Sequence, residues 1–117
     1  MTDKQDLGAL GEKAAAEYLE SLGYQILIRN WRCRFGEVDI IAAEGNQTVF
    51  VEVKTRSGSG FGHPFEAITA AKVRSMRKTA GAYCSEHKTA PSIRLDAIAV
   101  YLRGGQTSIE HLKQVFR

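Results

Sequence analysis

The chain has 117 residues, 44% of them hydrophobic and 25% charged, with a formal net charge of +3. A single domain over residues 1–117 would bury roughly two-thirds of its unfolded surface, so neither disulfides nor a structural metal is needed to hold it together. No apolar run approaches the ~20 residues required to span a bilayer, and Met1-Thr2-Asp3-Lys4-Gln5-Asp6 has no apolar stretch behind its charges, which argues against a secretory leader and for the cytoplasm.

Residues 5 to 22 read as an amphipathic helix, with Leu7, Leu10, Ala14, Tyr18 and Leu22 recurring every three or four positions. Thr2 with Gln5 resembles a capping box, and Gly23 is placed as the stop. A strand follows at Tyr24 to Arg29, and Arg32, Arg34 and Gly36 mark a connection. Residues 37 to 43 and 48 to 54 are both strand-like. Glu44-Gly45-Asn46-Gln47 between them signals a hairpin through a type II′ turn with Gly45 at its first central position.

Thr55 to Pro64, with Gly58, Gly60 and Gly62, reads as a loop; its glycines lack the Gly-Lys-Ser/Thr ending of a phosphate-binding loop, and a flap or a plain connector both fit. A second helix is predicted over Thr69 to about His87, packing through Val73, Met76, Ala80, Tyr83 and Cys84. Ser92 to Leu102 is a strand, Gly104-Gly105 a turn, and Thr107 to Phe116 a last short strand. This order, αβββαββ, describes an α/β sheet with helices against it. Cys33 and Cys84 belong to no CxxC or Cys/His cluster, so two buried thiols in a reducing compartment are expected.

If the hairpin turns at Gly45-Asn46, Glu44 faces Gln47 and Asp39 faces Glu52, with their Cβ atoms about 5 Å apart. Lys54, two residues on, leaves the same side of the strand. Two carboxylates at that separation repel by on the order of 3 kcal/mol at an effective dielectric near 20. A lysine offsets part of this and a divalent cation would offset more. Mg²⁺ takes one or two protein carboxylates and keeps waters and phosphate oxygens besides. Asp, Glu and Lys in this pattern therefore suit metal-assisted phosphodiester hydrolysis. An ordinary cross-strand ion pair between Glu37 and Lys54 would explain the lysine without catalysis. Against this, Glu52 and Lys54 interrupt a strongly apolar strand, where unpaired charges are rare. Glu12 is a third carboxylate candidate, with a solvated helix glutamate as the alternative; Gly8 and Gly11 beside it would let the helix approach a sheet or a phosphate backbone closely.

The stretches Gly8-Ala-Leu-Gly-Glu12, Asn30-Trp-Arg-Cys-Arg-Phe-Gly-Glu-Val-Asp-Ile-Ile41, Val49-Phe-Val-Glu-Val-Lys-Thr-Arg56 and Arg94-Leu-Asp-Ala-Ile-Ala99 resemble the bacterial YraN family. That family is similar to archaeal Holliday-junction resolvases and to the PD-(D/E)xK nuclease superfamily, and the resemblance runs from about Gly8 to Phe116. It implies a restriction-endonuclease-like fold, a central mixed β-sheet flanked by helices, and dependence on Mg²⁺ or Mn²⁺. By the same resemblance Asp39 and Glu52 would be metal ligands, Lys54 the water-orienting residue, and Glu12 a helper of metal or water. Val38 stands where the superfamily motif has proline.

The implied activity is cleavage of branched or otherwise structured DNA, with a two-fold dimer expected if four-way junctions are cut. A DNA-binding or adaptor module that keeps the fold without turnover is the competing reading. Arg29, Arg32, Arg34, Arg56, Lys72, Arg74, Arg77 and Lys78 are candidates to neutralise phosphates, although the helical group forms no tidy stripe and a solvated face would also account for it. Trp31 and Phe35 could stack on bases or serve as core and loop anchors. No role is assigned to His63, His87 or His111, and Asp96 beside Arg94 reads as a structural ion pair.

Overall fold

The computed structural model describes residues 4–57, 63–88 and 92–115. Its elements are helix α1 (Lys4–Ser21), strands β1 (Gln25–Cys33), β2 (Gly36–Glu44) and β3 (Gln47–Ser57), a 3₁₀ turn (Pro64–Ala67), helix α2 (Ala70–His87), and strands β4 (Ile93–Arg103) and β5 (Gln106–Leu112). The strands form one sheet in chain order. β1–β2, β2–β3 and β4–β5 are antiparallel, and β3–β4, joined through α2, is parallel. The protein is thus α/β in the predicted order, a mixed sheet with one helix on each face.

Helix α1 ends in a Schellman motif: Tyr24 N–H bonds Leu19 O and Gly23 N–H bonds Glu20 O, both at 3.0 Å, with Gly23 at φ 94° as the left-handed stop. The predicted cap at Thr2 lies outside the described residues. The buried face of α1 differs from the expected stripe. Leu10 and Leu22 are exposed, and Ala15, Ala16 and Leu19 face the sheet instead, joined by Tyr18 and Ala14. The expected stripe holds at Ala14 and Tyr18 but fails at Leu10 and Leu22, because the face that approaches the sheet is built from small alanines around Leu19. Gly11 makes the same point: a Cβ there would lie 1.8 Å from Thr55 Oγ1, so only glycine lets α1 settle on β3.

Two cores result. Ile40, Ala42, Val49, Val51, Ile98 and Val100 pack under α1. Val38, Ile41, Phe50 and Leu95 pack under α2 with Met76, Ala80 and Tyr83, flanked by Val73 and Cys84 as expected. Trp31 joins this second core edge-on to Tyr83 at 5.3 Å, as an anchor rather than a stacking platform. Cys33 and Cys84 are free thiols, half-buried rather than buried.

The β2–β3 hairpin has the predicted register, Glu44 opposite Gln47 through Ile40 opposite Val51. Of its two turn residues only Gly45 takes a positive φ, 58°, as type II′ requires. Three strands run longer or shorter than read. β1 continues through Arg32 to Cys33 and turns back directly into β2, so Arg32 is a strand residue and not part of a connection. β3 continues to Ser57 because β4 pairs with it that far. The last strand is shorter, stopping at Leu112. The glycine-rich segment 58–62 lies outside the described residues.

Candidate functional site

The site begins with a fault in the first hairpin. Its ladder pairs Ile28 with Ile41 and Arg29 with Ile40, then resumes at Trp31 with Val38, passing over Asn30 and Asp39. Asn30 sits at φ 56°, a left-handed conformation that asparagine tolerates better than most residues. Strict alternation would put Val38 on the α1 side with Ile40; instead Val38 and Ile41 both pack under α2. Asp39, between them, is released from both apolar layers.

The β2–β3 ladder also ends here, at Ile40 opposite Val51. The carboxylate of Asp39 takes over where the backbone pairing stops: its Oδ2 accepts the N–H of Val53 at 2.7 Å. Asp39 and Glu52 are therefore not backbone ladder partners, yet their carboxyl groups lie close enough to act on one another. Burial pushes the Asp39 pKa up to about 8; the neighbouring Glu52 carboxyl pushes the same way, and the Val53 N–H pulls back. At neutral pH the pair consequently holds a proton. Glu52 itself is buried.

Two ammonium groups converge on one oxygen of that glutamate. Lys72 Nζ lies 2.9 Å and Lys54 Nζ 3.7 Å from Glu52 Oε2. Lys54 arrives from two residues along β3, and Lys72 from the first turn of α2, where Thr69 caps the helix by accepting the Lys72 backbone N–H at 3.1 Å. These groups line a cleft of about 550 Å³ together with Leu7, Gly8, Glu12, Glu37, Val53, Thr55, Arg56 and Ser57.

The remaining candidates separate clearly. Glu12 lines the cleft with its carboxylate 3.6 Å from Arg29, and its charge also acts on Asp39. Glu37 pairs with Arg32 at 2.9 Å, so the alternative Glu37–Lys54 ion pair does not form; the ladder has opened before those residues could face each other. Arg56 reaches the cleft with its guanidinium on the carbonyl of Thr55 at 3.1 Å. Arg34 covers the ring of Phe35 at the β1–β2 turn, 4.8 Å from its centroid. Arg74, Arg77 and Lys78 are exposed on α2 and do not line the cleft. Among the described residues no group of three His, Cys, Asp or Glu side chains is arranged to hold a metal.

A second polar constellation lies towards the other end of the sheet. Arg94 grips Asp96 with two bonds of 2.9 Å and also reaches Tyr24 at 2.6 Å and Glu44 at 2.8 Å. Asp96 is fully buried and receives His111 at 2.7 Å and the Gln114 N–H at 3.2 Å. Burial alone would raise its pKa, but the bonds from His111, Arg94 and Gln114 outweigh burial and hold it below the usual carboxylate range. The Asp96–Arg94 ion pair is as read from sequence. The part of His111, which also meets Tyr18 at 3.1 Å, was missed. Nothing local marks that histidine; its place opposite Ile98 across the β4–β5 ladder does.

The matches to known proteins span this same framework. The model of the uncharacterised protein family UPF0102 matches residues 11–100, which include Glu12, Asp39, Glu52, Lys54 and Lys72. A UPF0102 protein of Clavibacter michiganensis subsp. michiganensis is 49% identical over 113 residues, covering 94% of this chain and 95% of that protein. One from an Arthrobacter species is 47% identical over 117 residues, covering 98% and 99%. A third, from Leifsonia xyli subsp. xyli, is 50% identical over 101 residues, covering 86% of each chain. With the family model covering most of the chain and these relatives aligned nearly end to end, the protein belongs to the UPF0102 family.

Proposed function

We propose that the protein is a divalent-metal-dependent endonuclease of the restriction-endonuclease-like class that cuts branched DNA. The observation that carries this reading is the convergence of Asp39 and Glu52, two neighbouring carboxyl groups, in a cleft that two lysines also enter. Such a pair suits a hard cation: its donors are carboxylate oxygens, and one of them, Asp39 Oδ2, is already fixed by a backbone N–H. Asp39 and Glu52 would hold Mg²⁺ or Mn²⁺, which polarises a phosphate and acidifies a bound water. Lys54, which extends from the same strand as Glu52, steadies the attacking water or the charge developing on the phosphate. Arg56 and Arg29 present guanidinium groups for the flanking phosphates. The resemblance to junction resolvases supports branched DNA as the substrate, and the two-fold symmetry of a junction calls for a homodimer.

The test is incubation of a labelled four-way junction with Mg²⁺ or Mn²⁺. Nicking is expected, and Asp39→Asn or Lys54→Ala should abolish it. Cleavage that survives both substitutions would remove these residues from the mechanism.

One observation favours a binding module without turnover instead: the Glu12 carboxylate is engaged by Arg29. Under that reading the wild-type protein and Asp39→Asn take up Mn²⁺ equally poorly in a calorimetric titration while both still retard branched DNA.

A further inference from the structure

Lys72 does more in this cleft than a phosphate contact would require. Its ammonium is the nearer of the two on Glu52, 2.9 Å against 3.7 Å for Lys54, and both share the single oxygen Oε2. Its backbone is pinned at the third position of α2 by the Thr69 cap, so the side chain reaches inward from a fixed point. The carboxylate it touches is buried, whereas the lysine side chain is 30% exposed. A buried carboxylate needs a counter-charge, and Lys72 supplies one without any metal.

Resting on the metal-dependent reading above, we propose that Lys72 is a resident counter-ion: it occupies Glu52 Oε2 in the metal-free protein, is displaced when a divalent cation takes that oxygen, and then turns its ammonium to a phosphate of the nucleic acid. Lys72 is a positioning residue in this scheme. It couples metal uptake to the grip on DNA, because the lysine becomes available to phosphate only after the cation has evicted it.

The experiment is a calorimetric Mn²⁺ titration of the full chain and of Lys72→Met, Lys72→Arg and Lys13→Met. Lys13 is exposed on α1 outside the cleft lining and controls for loss of any nearby positive charge. Lys72→Met should bind Mn²⁺ roughly three- to tenfold more tightly, the scale on which one partly exposed charge pair acts. Lys72→Arg and Lys13→Met should stay near wild type. A second readout is the salt dependence of junction binding. In Ca²⁺, Lys72→Met should reduce the slope of log K against log salt by about one; in EDTA it should leave the slope unchanged. Unchanged or weaker Mn²⁺ binding by Lys72→Met, equal tightening by Lys13→Met, or the same slope change with and without Ca²⁺ would overturn displacement and leave the nuclease reading standing. Failure of the wild type to take up Mn²⁺ would overturn the metal reading itself, and the displacement with it.

Discussion

Asp39 and Val53 are joined by a 2.7 Å bond between a side-chain oxygen and a backbone N–H, at the point where β2 and β3 stop pairing. The carboxylate is thereby placed near Glu52, and burial, with the Glu52 carboxyl beside it, raises its pKa to about 8. The first prediction follows from the sign of that shift. A carboxyl group whose folded pKa is about 8 binds more protons folded than unfolded between pH 4 and 8. This group's contribution to stability is therefore best below pH 4, falls as pH rises towards 8, and is flat above. Asp39→Asn keeps an acceptor for Val53, offers an N–H to Glu52 and removes the slope. It is expected to stabilise the metal-free protein at pH 8 by on the order of 1 kcal/mol. Urea denaturation of both proteins at pH 5 and pH 8 measures it, and a clear loss of stability in the variant would contradict it.

Metal uptake should expel the proton held there. At pH 7 Mn²⁺ binding is expected to release close to one proton, and at pH 9 almost none. Calorimetry in buffers of different ionisation enthalpy gives the count directly, and apparent affinity should climb with pH until about pH 8.

Gly11→Ala should destabilise the fold by about 1–3 kcal/mol, the usual range for overpacking. The new methyl would meet the Cβ of Thr55 at 2.8 Å as well as its hydroxyl, so rotation of the threonine cannot clear it. Gly23→Ala tests a different cause. A methyl at Gly23 would have nothing within 4 Å, but φ is 94°, so a loss of about 1 kcal/mol is expected from backbone conformation alone. Combining Gly11→Ala with Thr55→Ala should recover part of the first loss and none of the second.

Arg94→Met should cost about 3 kcal/mol, because a fully buried aspartate loses both guanidinium bonds and keeps only His111 and the Gln114 N–H. Asp96 keeps its stabilising role above the ordinary carboxylate pKa and loses it only as pH falls through its depressed value, so acid unfolding should move to higher pH in the variant. Mn²⁺ affinity should be unaffected once folding is accounted for, since neither Arg94 nor Asp96 lines the cleft.

How much of this was legible beforehand depends on the range of the interactions. The turn at Gly45 and the register that brings Asp39 towards Glu52 are local, and a single glycine sets both. The core face of α2 was legible because bulky Met76 and Tyr83 mark it. The face of α1 was not, because alanines bury it and the deciding contact, Gly11 on Thr55, spans 44 positions of sequence. The ends of β1 and β3 were missed for a related reason. Arginines read as breakers, yet Arg32 stays in the ladder by pairing with Glu37, and β3 is prolonged by a parallel neighbour formed much later in the chain. Lys72 was legible as a charge but not as a neighbour of Glu52, since no rule of spacing links a helix's first turn to a strand crossed over from it.

The hairpin turn at Arg34 and Phe35 is itself tied to the far helix, where Ser75 donates its hydroxyl to the carbonyl of Phe35 at 2.8 Å and Gly36 leaves room for that serine. One strand of the acidic pair thus hangs from α2 while the other is bolted to β4. The two acids take their positions from different supports, one reached through a serine on the helix surface and the other through the backbone of a parallel neighbour.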